Sequence, residues 1–266
     1  MTGVPALGRG LDGELALALE LADLADGITL PPFAAREVVH EWKSNRTEVT
    51  ELDRGAESAI AQRLARARPT HRMLGEEFGT SGDPESPWQW IVDPIDGTSG
   101  YVRGIPVWAT LIALAHRGDG VVVAVVSAPA MGRRWWASRG GGTFADGRAC
   151  RVSTVDRVAD AQISVTLNDG WESLGLTGAV VRLAQEARRA RGFGDFWQHC
   201  LVAEGALDVA IDAVGVAPYD LAAVKLVVEE AGGTFTDRHG RVTHESDTAI
   251  SSNGVLHDEV VRRLTS

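Results

Sequence analysis

An α+β half followed by an α/β half is the architecture the sequence predicts. Up to about residue 157, helical segments lead into a run of β-rich segments separated by turn residues. From about Ala159, strand and helix alternate, the pattern of an α/β layer. The chain has 266 residues, 44% hydrophobic and 23% charged, enough for one large domain or two moderate ones. We expect two, at 1–157 and 158–266.

The elements follow in order. Asp12 to Ala25 is rich in Leu and Ala and favours helix; Pro31-Pro32 should end it or mark the loop after it. A second short helix is expected over Phe33 to Trp42, and a polar loop over Lys43 to Thr50. Leu52, Ala56, Ile60 and Leu64 recur every four residues and make one face of a helix. Thr50 is placed to cap that helix, with Asp53 at the capping-box position. Trp90, Ile91 and Val92 open a strand that should break at Pro94 and Gly97. Val107 to Ala115 and Val121 to Val126 read as a hairpin turning at Asp119-Gly120. Arg134 to Ala137 reads as another strand, followed by a glycine turn at 140–142. The second half reads as a strand at Ile163 to Leu167, helices at Thr177 to Arg189 and Phe196 to Glu204, and a strand at Ala206 to Ile211. A helix then opens at Pro218-Tyr219-Asp220 and stops at Gly232-Gly233. A hairpin about His239-Gly240, a strand at Thr248 to Ser252 and a helix at Leu256 to Leu264 complete the chain.

Composition excludes several classes. The net charge is −10 and there is no Lys/Arg-rich run, so neither nucleic acid nor an anionic membrane is an expected partner. Met1 to Gly10 carries no basic stretch followed by an apolar run, and no apolar stretch reaches the ~18 residues of a membrane span. Cys150 and Cys200 are too few and too far apart for a disulfide framework or a zinc cluster, which fits a reducing cytoplasm. The seven histidines show no zinc-hydrolase spacing. Arg238-His239-Gly240 matches the core of a histidine-phosphatase motif, but it falls in a turn rather than at an N-terminal strand end.

The chemistry lies in acids at element ends. Glu76 and Glu77 are flanked by Gly75 and Gly79; Asp93 and Asp96 sit beside Pro94 and Gly97; Asp220 follows Pro218. Taken singly, each has a structural explanation: a solvated acidic turn, Asp-Pro and Asp-Gly turns, a helix N-terminus. If Glu76, Asp93, Asp96 and Asp220 converge, they cannot all stay ionised without divalent cations. Two Mg²⁺ ions shared among them would make a site for phosphoryl transfer to water.

Gly75-Glu76-Glu77, then Asp93-Pro94-Ile95-Asp96-Gly97-Thr98, then Asp220 ahead of Ala231-Gly232-Gly233, resembles in order and spacing the inositol monophosphatase family of Mg²⁺-dependent phosphatases. Further segments, among them Leu74 to Gly79, Val102 to Thr110, Val126 to Ala130, Arg134 to Ala137, Gly194-Asp195-Phe196 and Leu201 to Gly205, are similar to actinobacterial histidinol-phosphate phosphatases. The resemblance covers nearly the whole chain. It implies a layered αβαβα sandwich of the sugar-phosphatase type, a homodimer, two to three Mg²⁺ per subunit and a small phosphorylated metabolite as substrate. By the same resemblance, Glu76 is a ligand of a first metal. Asp93 bridges two metals and the Ile95 carbonyl also coordinates. Asp96 and Asp220 hold the second metal, and Asp53 and Glu77 lie near a weaker third. Thr98 orients the attacking water, and the Gly97 and Thr98 N–H groups hold phosphate oxygens. Asp96, Ser99, Asp195, Asp212 and Asp220 are the positions expected to meet the substrate.

The chain departs from the family pattern around the substrate. Ser99-Gly100 replaces a polar residue and Asn. Tyr219, with Pro218 ahead of it, replaces a Trp. Asp212 to Tyr219 is one residue longer than its counterpart. Asn45, Arg46 and Glu48 stand where histidinol phosphatases carry an Asp and a Pro. Leu167 to Gly170 replaces a serine-rich stretch. Histidinol phosphate is the first expectation for the substrate. A nucleoside 5′-monophosphate, an inositol phosphate or a sugar phosphate of a specialised pathway is the alternative. A catalytically silent binding protein is the remaining class.

Overall fold

The computed structural model describes residues 10–42 and 48–265. The chain forms two compact units, Met1–Gly142 and Thr143–Ser266. This division falls ahead of the one expected at residue 157 because the intervening segment is bonded to the second unit. The Val152 N–H donates to the Ala231 carbonyl, Ser153 Oγ donates to Asp208 at 2.5 Å, and Asn253 Nδ2 donates to the Val155 carbonyl at 2.8 Å.

The first unit opens with α1 (Asp12–Ala35). Pro31 and Pro32 do not end this helix; they lie inside its last turn. Each interior proline costs about 3 kcal/mol. Leu30 and Phe33, from the same turn, pack against Ile95, Tyr101 and Trp108. A buried side chain of that kind contributes about 1.5–3 kcal/mol when fully covered, so packing competes with the proline cost. Tyr101 Oη also donates to the Thr29 carbonyl at 2.7 Å. The helix ends at Arg36 in a left-handed conformation. The short helix expected over Phe33 to Trp42 is therefore absent: its first residues belong to α1. Its last form β1 (His40–Trp42), paired antiparallel with β2 (Glu48–Thr50). Of the loop expected over Lys43 to Thr50, residues 43–47 lie outside the described residues.

Next comes α2 (Glu51–Ala67), capped as expected: Thr50 Oγ1 accepts from the Leu52 and Asp53 N–H groups, and the Asp53 carboxylate accepts from the Thr50 N–H. Its buried stripe is Asp53, Ala56, Glu57, Ile60 and Leu64, so two acids sit on the face expected to be apolar. The sheet contains β3 (Arg72–Gly75), β4 (Gly79–Gly82), β5 (Trp88–Asp96), β6 (Ala109–His116), β7 (Gly120–Ala128) and β8 (Arg133–Ser138), with α3 (Thr98–Val102) between β5 and β6. The spatial order runs β8-β7-β6-β5-β3-β4, with β3 parallel to β5 and the other pairings antiparallel. Leu17 and Leu21 of α1 and Ile60 and Leu64 of α2 pack on Trp90, Val92, Ile112, Leu114, Val123 and Val125, the alternate residues of one sheet face.

From Thr143 the second unit holds all but the first residue of β9 (Gly142–Ala145), which makes a hairpin with β10 (Arg148–Ala149). It continues through β11 (Gln162–Val165), α4 (Asp169–Ser173), α5 (Thr177–Glu186), β12 (Arg189–Arg191), α6 (Asp195–Ala203), β13 (Val209–Ile211), α7 (Pro218–Glu230), β14 (Thr234–Thr236), β15 (Ile250–Ser252) and α8 (His257–Thr265). Strands β12, β11 and β13 are parallel; β15 and β14 join antiparallel in the order β12-β11-β13-β15-β14. Residues 187–189 leave the helix expected to reach Arg189, because the chain turns at Ala187 to enter β12. The expected hairpin about His239-Gly240 is a turn rather than two neighbouring strands. Asp237 accepts the N–H groups of His239 and Arg241, and β14 pairs instead with the distant β15.

Candidate active site

Strand β5 does not break at Pro94, as expected, but runs on to Asp96. Pro94 is accommodated by a bulge. Asp93 pairs with Leu111 and Asp96 with Ala109, so β5 carries one more residue than β6 in this interval. Thr110 Oγ1 donates to the Pro94 carbonyl at 2.8 Å, and the Ile95 N–H donates to Asp93 Oδ1 at 2.9 Å. In a regular strand, residues three apart face opposite sides. The extra residue cancels that alternation, and a carboxylate oxygen of Asp93 lies within 4.8 Å of one of Asp96. Both side chains are buried, 2% and 8% exposed. Gly97 follows with φ 84°, a left-handed conformation suited to glycine, and opens α3.

Two other elements of this unit bring acids to this strand end. The parallel register pairs Gly75 with Val92, so Glu76 follows β3 at the level where Asp93 stands on β5. Asp53, from the first turn of α2, is wholly buried. Its Oδ2 accepts from the Thr50 N–H at 2.7 Å and from Thr50 Oγ1 at 2.6 Å. Thr98 Oγ1 lies 3.3 Å from Asp53 Oδ1 and donates to the Ile95 carbonyl at 2.9 Å. Burial pushes the Asp53 carboxyl up to about 6, against the pull of the Thr50 hydrogen bonds, and the charges of Glu77 and Glu76 add to the rise. Glu57, one turn further along α2, is raised first by burial and then by the same two charges. The donor set of this unit is therefore all oxygen, from carboxylates and one carbonyl, and it carries like charges that repel. That chemistry fits a hard divalent cation such as Mg²⁺.

Ser99 Oγ accepts from Arg103 Nη1 at 2.5 Å, and the same guanidinium donates to Glu48 at 2.8 Å. The departure Ser99-Gly100 thus has a structural counterpart: a Cβ on Gly100 would stand 3.2 Å from the Val107 carbonyl, tighter than an ordinary contact.

In the second unit, Asp220 is the third residue of α7, and its Oδ2 accepts from the Ala217 N–H at 2.7 Å, half of a capping box. Asp212 is buried; its Oδ2 lies 3.0 Å from His199 Nε2, and His199 Nδ1 lies 2.7 Å from Ser251 Oγ. Asp195 opens α6 with φ 44°, unusual for a residue with a side chain. Its side chain reaches solvent, yet the protein packed around it, and then the charge of Asp212, hold its carboxyl up at about 6, while His199 pulls it down.

Sequence reading missed Glu57 and His199. Glu57 had a legible signal: it stands four residues after Asp53, on the stripe of α2 that turns inward. His199 had none, since its partners lie 13 and 52 residues away.

The profile of the inositol monophosphatase family matches residues 14–266. Among similar proteins, a histidinol-phosphatase of Mycobacterium tuberculosis is 47% identical, over 95% of this chain and 98% of that protein. A histidinol-phosphatase of Streptomyces coelicolor is 44% identical over 94% and 96%. Among solved structures, the extragenic suppressor protein suhB of Bartonella henselae superposes with a TM-score of 0.87 at 28% identity, covering 96% of this chain and 99% of that one. An inositol monophosphatase of Thermotoga maritima superposes with a TM-score of 0.80 at 29% identity, over 97% of both chains. The layered α/β fold implied by the motifs is the fold these structures share. The chain belongs to the inositol monophosphatase family and is a phosphoric monoester hydrolase.

Proposed function

We propose that the chain hydrolyses histidinol phosphate to histidinol with Mg²⁺ held by Glu76, Asp93, the Ile95 carbonyl, Asp96 and Asp220, and with Asp53 and Glu77 serving a weaker third ion. The observation that carries the metal reading is the bulge in β5, which sets two buried carboxylates within 4.8 Å of each other. Two bound ions would supply Lewis acidity toward water and the leaving oxygen, and counter-charge for the phosphate. The chain's own residues do the rest. Thr98 Oγ1 directs its proton toward the Ile95 carbonyl and Asp53, which leaves a lone pair to accept from the attacking water and orient it. The Gly97 and Thr98 N–H groups hold phosphate oxygens. Asp96, Ser99, Asp195, Asp212 and Asp220 face the alcohol portion. Acids there suit a substrate with cationic groups, and histidinol carries an ammonium and an imidazole.

A second reading has one observation in its favour. Ser99-Gly100 replaces the family's polar residue and Asn, and Ser99 is bonded to Arg103 at 2.5 Å, so the contact expected there with histidinol phosphate is altered; the alternative substrate is then a nucleoside 5′-monophosphate, an inositol phosphate or a sugar phosphate. Phosphate release with Mg²⁺ from histidinol phosphate and each of these alternatives decides between them. A clear preference for a nucleotide overturns the first assignment, and no release from any phosphomonoester overturns catalysis itself. By family resemblance we extend the proposal to a cytoplasmic homodimer with two to three Mg²⁺ per subunit. Light scattering and metal analysis of the purified protein check the stoichiometries. Among the described residues, no helix is long and apolar enough to cross a membrane.

A further inference from the structure

We infer that Glu57 is a positioning residue for the Glu76–Glu77 turn, which it anchors from beneath; the inference rests on the reading of Glu76 as a metal ligand. Residues 76–78 join β3 to β4. At the turn's far end, Phe78 is 59% exposed, so apolar packing does not hold it in place. Glu57 does. Its side chain is 1% exposed. Oε2 accepts from the Glu77 N–H at 2.8 Å and Oε1 from the Phe78 N–H at 3.0 Å. Bonds to an ionised acceptor are the stronger kind, and two of them fix the orientation of the turn's peptide planes.

Gly75 is the opening through which the carboxylate reaches. A Cβ there would fall 1.9 Å from Glu57 Oε1 and 2.2 Å from its carboxyl carbon. The glycine at 75 and the acid at 57 are therefore one device, although 18 residues separate them in sequence. An apolar side chain at 57 would suit the stripe between Ala56 and Ile60 but would leave both turn N–H groups unanswered. A buried acid beside Glu76 and Glu77 is electrostatically unfavourable. What it provides in return is a turn whose backbone cannot rotate Glu76 away from its place.

The test uses full-length protein and Mn²⁺ as the probe, with binding measured directly by calorimetry below each variant's melting temperature. Loss of an outer partner to a metal site commonly costs about 10–100-fold in metal affinity. Glu57→Gln, which offers one acceptor where two are needed, should weaken Mn²⁺ by about that factor. The Mg²⁺ needed for half-maximal phosphate release should rise in parallel, while turnover at saturating Mg²⁺ recovers to within a few-fold. Glu57→Asp should fall between. Gly75→Ala should weaken binding in the wild-type background and add nothing in Glu57→Ala, because the clash partner is gone. Glu76→Gln separates the two readings. If Glu76→Gln loses Mn²⁺ while Glu57→Gln and Glu57→Asp bind it normally, the positioning role falls and the ligand reading stands. If Glu76→Gln binds Mn²⁺ normally, the ligand reading falls. Additive losses in Gly75→Ala/Glu57→Ala overturn the coupling.

Discussion

Asp93 and Asp96 acquire their joint meaning from one extra residue. Without the bulge at Pro94, strand alternation would send the two carboxylates to opposite faces of the sheet. With it, they share a side and a buried environment, where neither charge is comfortable without a cation. On the proposed metal assignment, replacing a carboxylate oxygen of Asp96 by an amide nitrogen is severe: Asp96→Asn should lower phosphate release by about 100-fold or more. Near-normal turnover in that variant would contradict the ligand assignment. A second residue-scale expectation concerns Asp195. Its carboxyl should keep its proton to about pH 6, and Asp212→Asn should bring the titration down toward the ordinary aspartate range by removing a neighbouring negative charge. Carboxyl-carbon NMR titration reads both. A midpoint unmoved by Asp212→Asn would mean that the Asp212 charge plays no part in raising it.

Helix α2 works as a bracket. Asp53 and Glu57, four residues apart, leave the same face of it; one reaches Thr98 and the other the turn at Glu77 and Phe78. The helix must therefore start at the right residue, and the Thr50 cap sets that start. Thr50→Ala should cost about 1 kcal/mol of stability, the usual price of a lost N-cap. Because Thr50 Oγ1 also donates to Asp53, the same change should raise the Asp53 carboxyl further, since the Thr50 bonds lower it at present. Urea unfolding measures the first effect, and an unchanged midpoint would show that the cap is redundant. A comparable brace lies elsewhere in the unit, where Arg134 of β8 donates to Asp23 at 2.8 Å and to Asp26 at 2.7 Å on α1.

At the scale of the molecule, each unit has a core of its own. That of the second gathers Ile163, Val180, Leu183, Val209, Ile250 and Val260 between its sheet and helices α5 and α8. Its pH dependence should show the buried His257. Thr236 Oγ1 lies 2.8 Å from Nε2 and Ser252 Oγ 3.0 Å from Nδ1, and burial lowers the pKa from 6.5 while Asp258 opposes the shift. As pH falls below 6.5, the unfolded chain takes up this proton before the folded one does. The group's contribution is thus present above that pH and is lost on acidification until the lower folded pKa is reached. His257→Gln should flatten the loss of unfolding free energy between about pH 7 and 5, by a slope equivalent to less than one proton. Denaturant unfolding at pH 5, 6 and 7 checks this. An unchanged slope would mean that His257 titrates alike in both states.

Local rules were enough for part of this. The Thr50 capping box, the start of α7 at Pro218 and the spacing of the acidic motifs could be read from the chain, because each depends on residues within a few positions of one another. So could the change from antiparallel pairing to strand–helix alternation, from the switch in pattern near residue 159. Tertiary structure decided the rest. It carried α1 through Pro31-Pro32, because Leu30 and Phe33 had aromatic partners some seventy residues away to pack against. It kept β5 continuous past Pro94 by a bulge that pairing with β6 makes possible. It paired β14 with β15 rather than with its neighbour in sequence. It also turned Glu57 from a helix residue into the anchor of a distant turn. In each case a long-range contact outweighed a local preference, and periodicity and propensity carry no record of which segments will meet.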